Sequence, residues 1–253
     1  MGCTPTISMT DKNFVTVRQA DDPEILKASQ QAQNTFRHFW HQVAIDFNRI
    51  VPALELASLK ASFSDNFGDP NSPVEQMWVD RLDFDGVLIY GVLLNNPNWL
   101  TSVKQGDKVS FPLSQLNDWL CMLGGEVYGG HTIQVIRSRM NDDERTQHDE
   151  AWGLSFPSSD KVLIPDRDLE VEKAIADLMI GEIEQDPEIA KLKFDGGRTL
   201  LHLESLYGKP HSVKALLEMG ASAEAKCDRG WTPLDYAKVL DWKDVISLLE
   251  KRA

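Results

Sequence analysis

Thr199-Leu200-Leu201-His202 returns thirty-three positions later as Thr232-Pro233-Leu234-Asp235. The neighbours of the two tetrads agree as well. Asp195-Gly196-Gly197-Arg198 leads into the first, and Asp228-Arg229-Gly230-Trp231 into the second. Val213, Leu216 and Leu217 follow the first copy at helical spacing, and Ile246 and Leu249 follow the second. Each Thr hydroxyl is suited to cap a helix, and Pro233 is tolerated in a first helical turn. Gly220-Ala221 supplies the left-handed stop after the first copy. Self-similarity at a fixed period decides the fold of a segment, because it defines the unit that is stacked.

A thirty-three-residue period with two short helices per unit is similar to the ankyrin repeat. Leu200 stands where that pattern has Pro, Asp235 where it has His, and Asp241 where it has Gly. The expectation is an all-α ankyrin-repeat module over residues 166–253. The segment Asp168–Ile183, with Val171, Ala174, Ile175, Leu178 and Met179 on one face, is its expected N-terminal cap. Two units cannot bury both of their own ends, so a neighbour must cover them.

Outward from the repeats, the rest of the chain predicts an α+β domain with an antiparallel sheet and a long N-terminal helix. Asp22-Pro23-Glu24 is a helix start. Ile25, Ala28, Ala32, Phe36, Phe39, Trp40 and Val43 continue it at helical spacing to about Phe47. Alternation marks a strand at residues 57–63. Two more, Glu75–Leu82 and Gly86–Leu94, flank the hairpin signal Asp85-Gly86. Lys108–Phe111 reads as a strand, Leu113–Leu123 as a short helix, and His131–Arg137 as the last strand. The division predicted is a tail over 1–20, the α+β domain over 21–140, an acidic loop or linker over 141–165, and the helical cap with the repeats over 166–253.

The α+β region also resembles a bacterial domain family of unknown function typified by YegJ. The likeness rests on Asp21-Asp22-Pro23-Glu24, Phe39-Trp40, Glu75-Gln76-Met77-Trp78-Val79, Gly91 and Asn96-Pro97. It continues through Gly106-Asp107-Lys108-Val109, Asp118-Trp119 and Gly129-Gly130-His131-Thr132. The resemblance implies a compact α+β domain and no known reaction. Read as residues, the glycines suit turns and bulges, and Trp78 and Trp119 suit apolar anchors.

Charge narrows the function classes. The chain of 253 residues carries a formal net charge of −13, and 42% of it is apolar. Residues 51–194 hold 25 acidic and 12 basic side chains, whereas residues 195–253 hold nine of each. Such a segment repels phosphate backbones and attracts basic proteins. No stretch approaches the roughly 20 apolar residues of a membrane helix. Cys3, Cys121 and Cys227 form no disulfide or zinc pattern, which fits a reducing compartment. The expectation is a cytoplasmic protein. The alternative is lipid anchoring in the bacterial envelope, because Met1-Gly2-Cys3 resembles an acylation site.

Candidate chemistry is sparse. His38 and His41 lie three apart on a helix, without a third ligand. Cys121, His131 and Asp118 supply the residue types of a nucleophilic set, without local support. No phosphate-binding glycine loop is present, and no cofactor or metal is implied. Asp142-Asp143-Glu144 with His148-Asp149-Glu150 is the densest group of carboxylates, and lacks the glycine and spacing of a calcium loop. The reading is a protein-binding protein rather than an enzyme. Asp142, Asp143, Glu144, Asp149, Glu150, Trp231 and Trp242 form its expected partner surface. Ankyrin modules beside such domains look similar to bacterial immunity proteins, so a basic toxin is the expected partner. The alternatives are a hydrolase with a polar pocket around His131, Asp118 and Glu75, and a scaffolding protein.

Overall fold

The computed structural model describes residues 22–67, 69 and 71–252. The predicted tail, with Gly2 and Cys3, lies outside them. The chain forms two compact units. One joins the described residues up to Phe39 to Ala53–Pro165, and the other joins Trp40–Pro52 to the residues from Asp166 onward.

The first unit opens with helix α1 (Pro23–Asp46). Asp22 starts it by accepting hydrogen bonds from the Glu24 and Ile25 amides. Six strands follow: β1 (Leu54–Phe63), β2 (Glu75–Phe84), β3 (Leu88–Leu93), β4 (Lys108–Pro112), β5 (Leu116–Leu123) and β6 (Glu126–Gly129). They form one antiparallel sheet in the order β4-β3-β2-β1-β5-β6. One face meets α1. The Trp119 indole N–H donates to the Ala32 carbonyl at 3.1 Å, Phe39 lies 5.5 Å from the Trp119 ring, and Phe36 meets Phe84 edge-on. Each such aromatic contributes about 1.5–3 kcal/mol through burial. The other face packs Leu120 and Val127 with Ile133 and Leu154, edged by Trp78, Trp152 and Phe156.

Three element assignments change. Leu113–Leu123, expected as a helix, is a single 3₁₀ turn (Leu113–Gln115) followed by β5. Both faces of β5 are covered, so its apolar run does not alternate, and a short run of that kind has no readable period. His131–Arg137, expected as a strand, belongs to helix α2 (His131–Ser138). Its cap comes from outside the helix. Asp118 on β5 accepts from the His131 and Thr132 amides at 2.9 and 2.7 Å and from the Thr132 hydroxyl at 2.6 Å. Gly129 allows this approach, because a Cβ there would sit 2.2 Å from the Trp119 carbonyl oxygen. Residues 142–152, expected within a loop, form helix α3 (Asp142–Trp152).

The second unit holds the end of α1 and α4 (Leu169–Gln185), then β7 (Lys193–Phe194) and β8 (Arg198–Thr199). Four short helices follow: α5 (Leu200–Tyr207), α6 (Pro210–Glu218), α7 (Pro233–Val239) and α8 (Lys243–Glu250). This overturns the expected all-α ankyrin-repeat module. A two-stranded ribbon, β7 with β8, precedes a few helices of seven to nine residues, and the core is completed from α1. His41 meets the Tyr207 carbonyl through Nδ1 at 2.8 Å, Gln42 donates to the Asp166 carbonyl, and the Trp40 ring packs on Tyr207. The physical reason is the open apolar end that two short units leave, which a distant segment here closes. The repeated tetrads themselves do start helices. Thr199 pairs with His202, and Thr232 with Asp235, each as a capping box.

Candidate functional site

α3 is fixed at both ends by its own residues. The Asn141 side chain accepts from the Glu144 amide at 3.0 Å, and the Glu144 carboxylate accepts from the Asn141 amide at 2.9 Å. Asp142, Asp143 and Glu144 occupy the first turn, where negative charge complements the helix dipole. Gly153 ends the helix in the left-handed conformation. Asp143, Thr146, Gln147 and Glu150 recur at helical spacing and are exposed, which gives α3 a polar outer face. Asp142 is also exposed and pairs with Arg145.

The inner face of α3 is built around a buried cation. Arg137, 5% exposed at its side chain, grips Asp149 through Nε at 2.9 Å and Nη2 at 2.6 Å. Its Nη1 donates to the Gln134 side chain and to the Pro157 carbonyl. The guanidinium lies 4.9 Å from the Phe156 ring centre. His148 meets Asp149 through Nδ1 at 2.9 Å, and its ring packs between Trp152 and Phe156. Trp78 of β2 completes the aromatic group against Trp152. Beside it, at the C-terminal end of α3, an open cavity of about 390 Å³ is lined by Thr146, Asp149, Glu150, Leu154, Ser155 and Phe156.

The expected partner residues therefore separate. Asp142, Asp143, Glu144 and Glu150 are exposed on α3, and Asp149 lies inward in an ion pair. Trp231 is half-buried against Tyr236 in the second unit. Trp242 is 4% exposed there. Its indole N–H donates to the Leu206 carbonyl, and its ring fills the space that a Cβ on Gly208 would take. Reasoning from sequence missed Arg137 and the inward role of Asp149. The available signals were Asn141-x-x-Glu144, which is a capping box, and Gly153 as a helix stop.

Two residues of the alternative hydrolase site, Asp118 and Glu75, hold local structure. Both oxygens of Asp118 hold the start of α2, as described. Glu75, 1% exposed, accepts from the backbone amides of Asn98, Trp99 and Leu100. Burial pushes the Cys121 thiol up to about 12, far from a nucleophile's range. Burial also lowers His131, against the opposing pull of Asp118. Lys60, cross-strand from Asp118 and Trp78, is lowered by burial and raised by the same carboxylate. His38 receives the Arg37 Nε–H, and His41 is turned to Tyr207. Among the described residues no three His, Cys, Asp or Glu side chains converge as metal ligands, and no helix is long and apolar enough to cross a membrane.

Residues 22–156 match a family described as "Uncharacterized protein conserved in bacteria (DUF2314)". The matched span covers the sheet, α2, α3 and Phe156, and so contains the cavity. A Neisseria meningitidis protein named "Putative ankyrin repeat protein NMB1133/NMB1171" is 35% identical over 96% of this chain and 99% of its own length. YegJ of Escherichia coli is 29% identical over 24% of this chain and 40% of its own length. The family match covers more than half of the chain, and the Neisseria relative aligns almost end to end. The chain belongs to the bacterial DUF2314 family.

Proposed function

We propose that this protein acts by binding another protein, and that the outer face of α3 receives a basic partner. One observation carries the reading. A helix capped at both ends turns Asp143 and Glu150 outward on one face and keeps Asp142 and Glu144 exposed beside them in the first turn. A fixed array of one sign steers an oppositely charged protein and costs little ordering on contact. The name of the Neisseria relative points the same way, since ankyrin repeats are protein-contact modules. An immunity protein that neutralises a basic toxin is the narrower form of this proposal. The repulsion of phosphate backbones by the acidic middle of the chain speaks against nucleic acid as the partner.

The test is co-expression with basic proteins encoded beside the gene, followed by size-exclusion chromatography and calorimetry. A complex is expected to weaken about tenfold in the double variant Asp143→Lys/Gln147→Lys and to weaken with added salt. Absence of any complex, or a complex indifferent to both changes, would overturn the reading. Protection of cells from the neighbouring gene product separates the immunity form from plain binding.

A further inference from the structure

We infer that the cavity at the C-terminal end of α3 takes one lysine or arginine side chain from the basic partner, a deepening that rests on the acidic-face reading above. Charge comes first. The cavity lining carries two carboxylates and no Lys or Arg. Asp149 is already neutralised by the two-point grip of Arg137, so Glu150 leaves the site one net negative charge. That balance suits a single cation and rejects an anion. A polyamine needs several uncompensated carboxylates, which favours a protein side chain as the source.

The helix adds to the same sign. The last turn of α3 contains no basic residue, so its own sequence places no cation at the negative end of the dipole. Shape supplies the remainder. Buried Leu154 and half-buried Phe156 offer an apolar wall for the methylene stem, and the Ser155 and Thr146 hydroxyls at the rim can accept from the cationic head. Phe156 is held in place by Arg137 and His148, so the wall is formed before anything binds. The exposed pair with Glu150 adds little affinity alone, which makes this an anchor within a larger contact.

The test is a titration of the full isotope-labelled chain with acetyl-Gly-Arg-Gly-amide, and separately with acetyl-Gly-Glu-Gly-amide at matched ionic strength. The arginine peptide is expected to move the amides of Thr146, Glu150 and residues 153–156, and the glutamate peptide to leave them. Glu150→Gln should weaken the arginine peptide about threefold, and Glu144→Gln at the other end of α3 should not. Ser155→Trp, at an exposed position, should fill the cavity and remove binding. Shifts centred on residues 142–144, equal shifts with both peptides, or no shift with either would overturn the cavity as the anchor site. A partner complex that yields to Asp143→Lys/Gln147→Lys but resists Glu150→Gln and Ser155→Trp would overturn the cavity while leaving the acidic-face reading intact.

Discussion

Helices α2 and α7 are nearly the same length, and they begin in opposite ways. In the helical unit, α7 closes on itself. The Thr232 amide donates to Asp235 at 2.8 Å, and the Asp235 amide returns to the Thr232 hydroxyl at 3.3 Å. In the sheet unit, α2 has no side-chain cap of its own, because Gly130 precedes it in the left-handed conformation. Its first amides reach Asp118, a fully buried residue thirteen positions upstream in sequence. A local cap at the surface is replaceable by water when it is lost. A carboxylate that accepts from four donors in the interior, the Trp119 amide at 2.9 Å among them, is not, because each released donor stays buried. The same chemical service thus carries different energetic weight in the two units.

The largest expected effect follows from that difference. Asp118→Ala strands the His131 and Thr132 amides and removes the carboxylate that faces Lys60, at a cost of about 3 kcal/mol. Asp118→Asn retains one acceptor oxygen and should lose less than the alanine variant. Urea denaturation reads both as shifts in midpoint at unchanged slope. Thr232→Ala should cost about 1 kcal/mol, the ordinary value of an N-cap. If Asp118→Ala costs no more than Thr232→Ala, the contrast between buried and surface capping fails.

That contrast also explains what was legible in the sequence. α1 was readable because Asp22-Pro23-Glu24 and the apolar stripe from Ile25 onward lie within the helix itself. The hairpin of β2 and β3 was readable from Asp85-Gly86. The paired caps at Thr199 and Thr232 were readable because each closes within three residues. α2 was not, since its cap sits on β5. β5 was misread because α1 covers one of its faces and the α2–α3 side covers the other, which erases the alternation. The ankyrin module was an over-extension of a true local signal. Two similar helix starts do not specify an all-α module, and the core of that unit is completed by Trp40, His41 and Gln42 from far upstream. The candidate site divides in the same way. The acidity of α3 was plain, while the Arg137–Asp149 grip spans two helices and leaves no short-range trace. Trp242 has the look of a contact aromatic, yet Gly208 leaves the space that buries it.

The smallest expected effect tests a mixed case, the start of α1. Asp22 caps locally through the Glu24 and Ile25 amides, and it is also held from a distance by Arg139, which follows α2 and pairs with Glu24 as well. The Arg139 guanidinium is the leading cause that draws the Asp22 carboxyl down to about 2, with the two local amides assisting. A carboxylate lowered in the folded state stabilises that state above its unfolded value near 3.9, and the contribution is lost as the pH falls through about 2. Acid should therefore leave this cap intact at pH 4 and remove it only near pH 2. Arg139→Gln removes the leading cause and leaves the amides, so the Asp22 titration should move part of the way back toward 3.9. Carboxyl carbon shifts of Asp22 across an acid titration measure both values. A titration unchanged by Arg139→Gln would make the start of α1 as local as that of α7, and the distant contribution would be confined to α2.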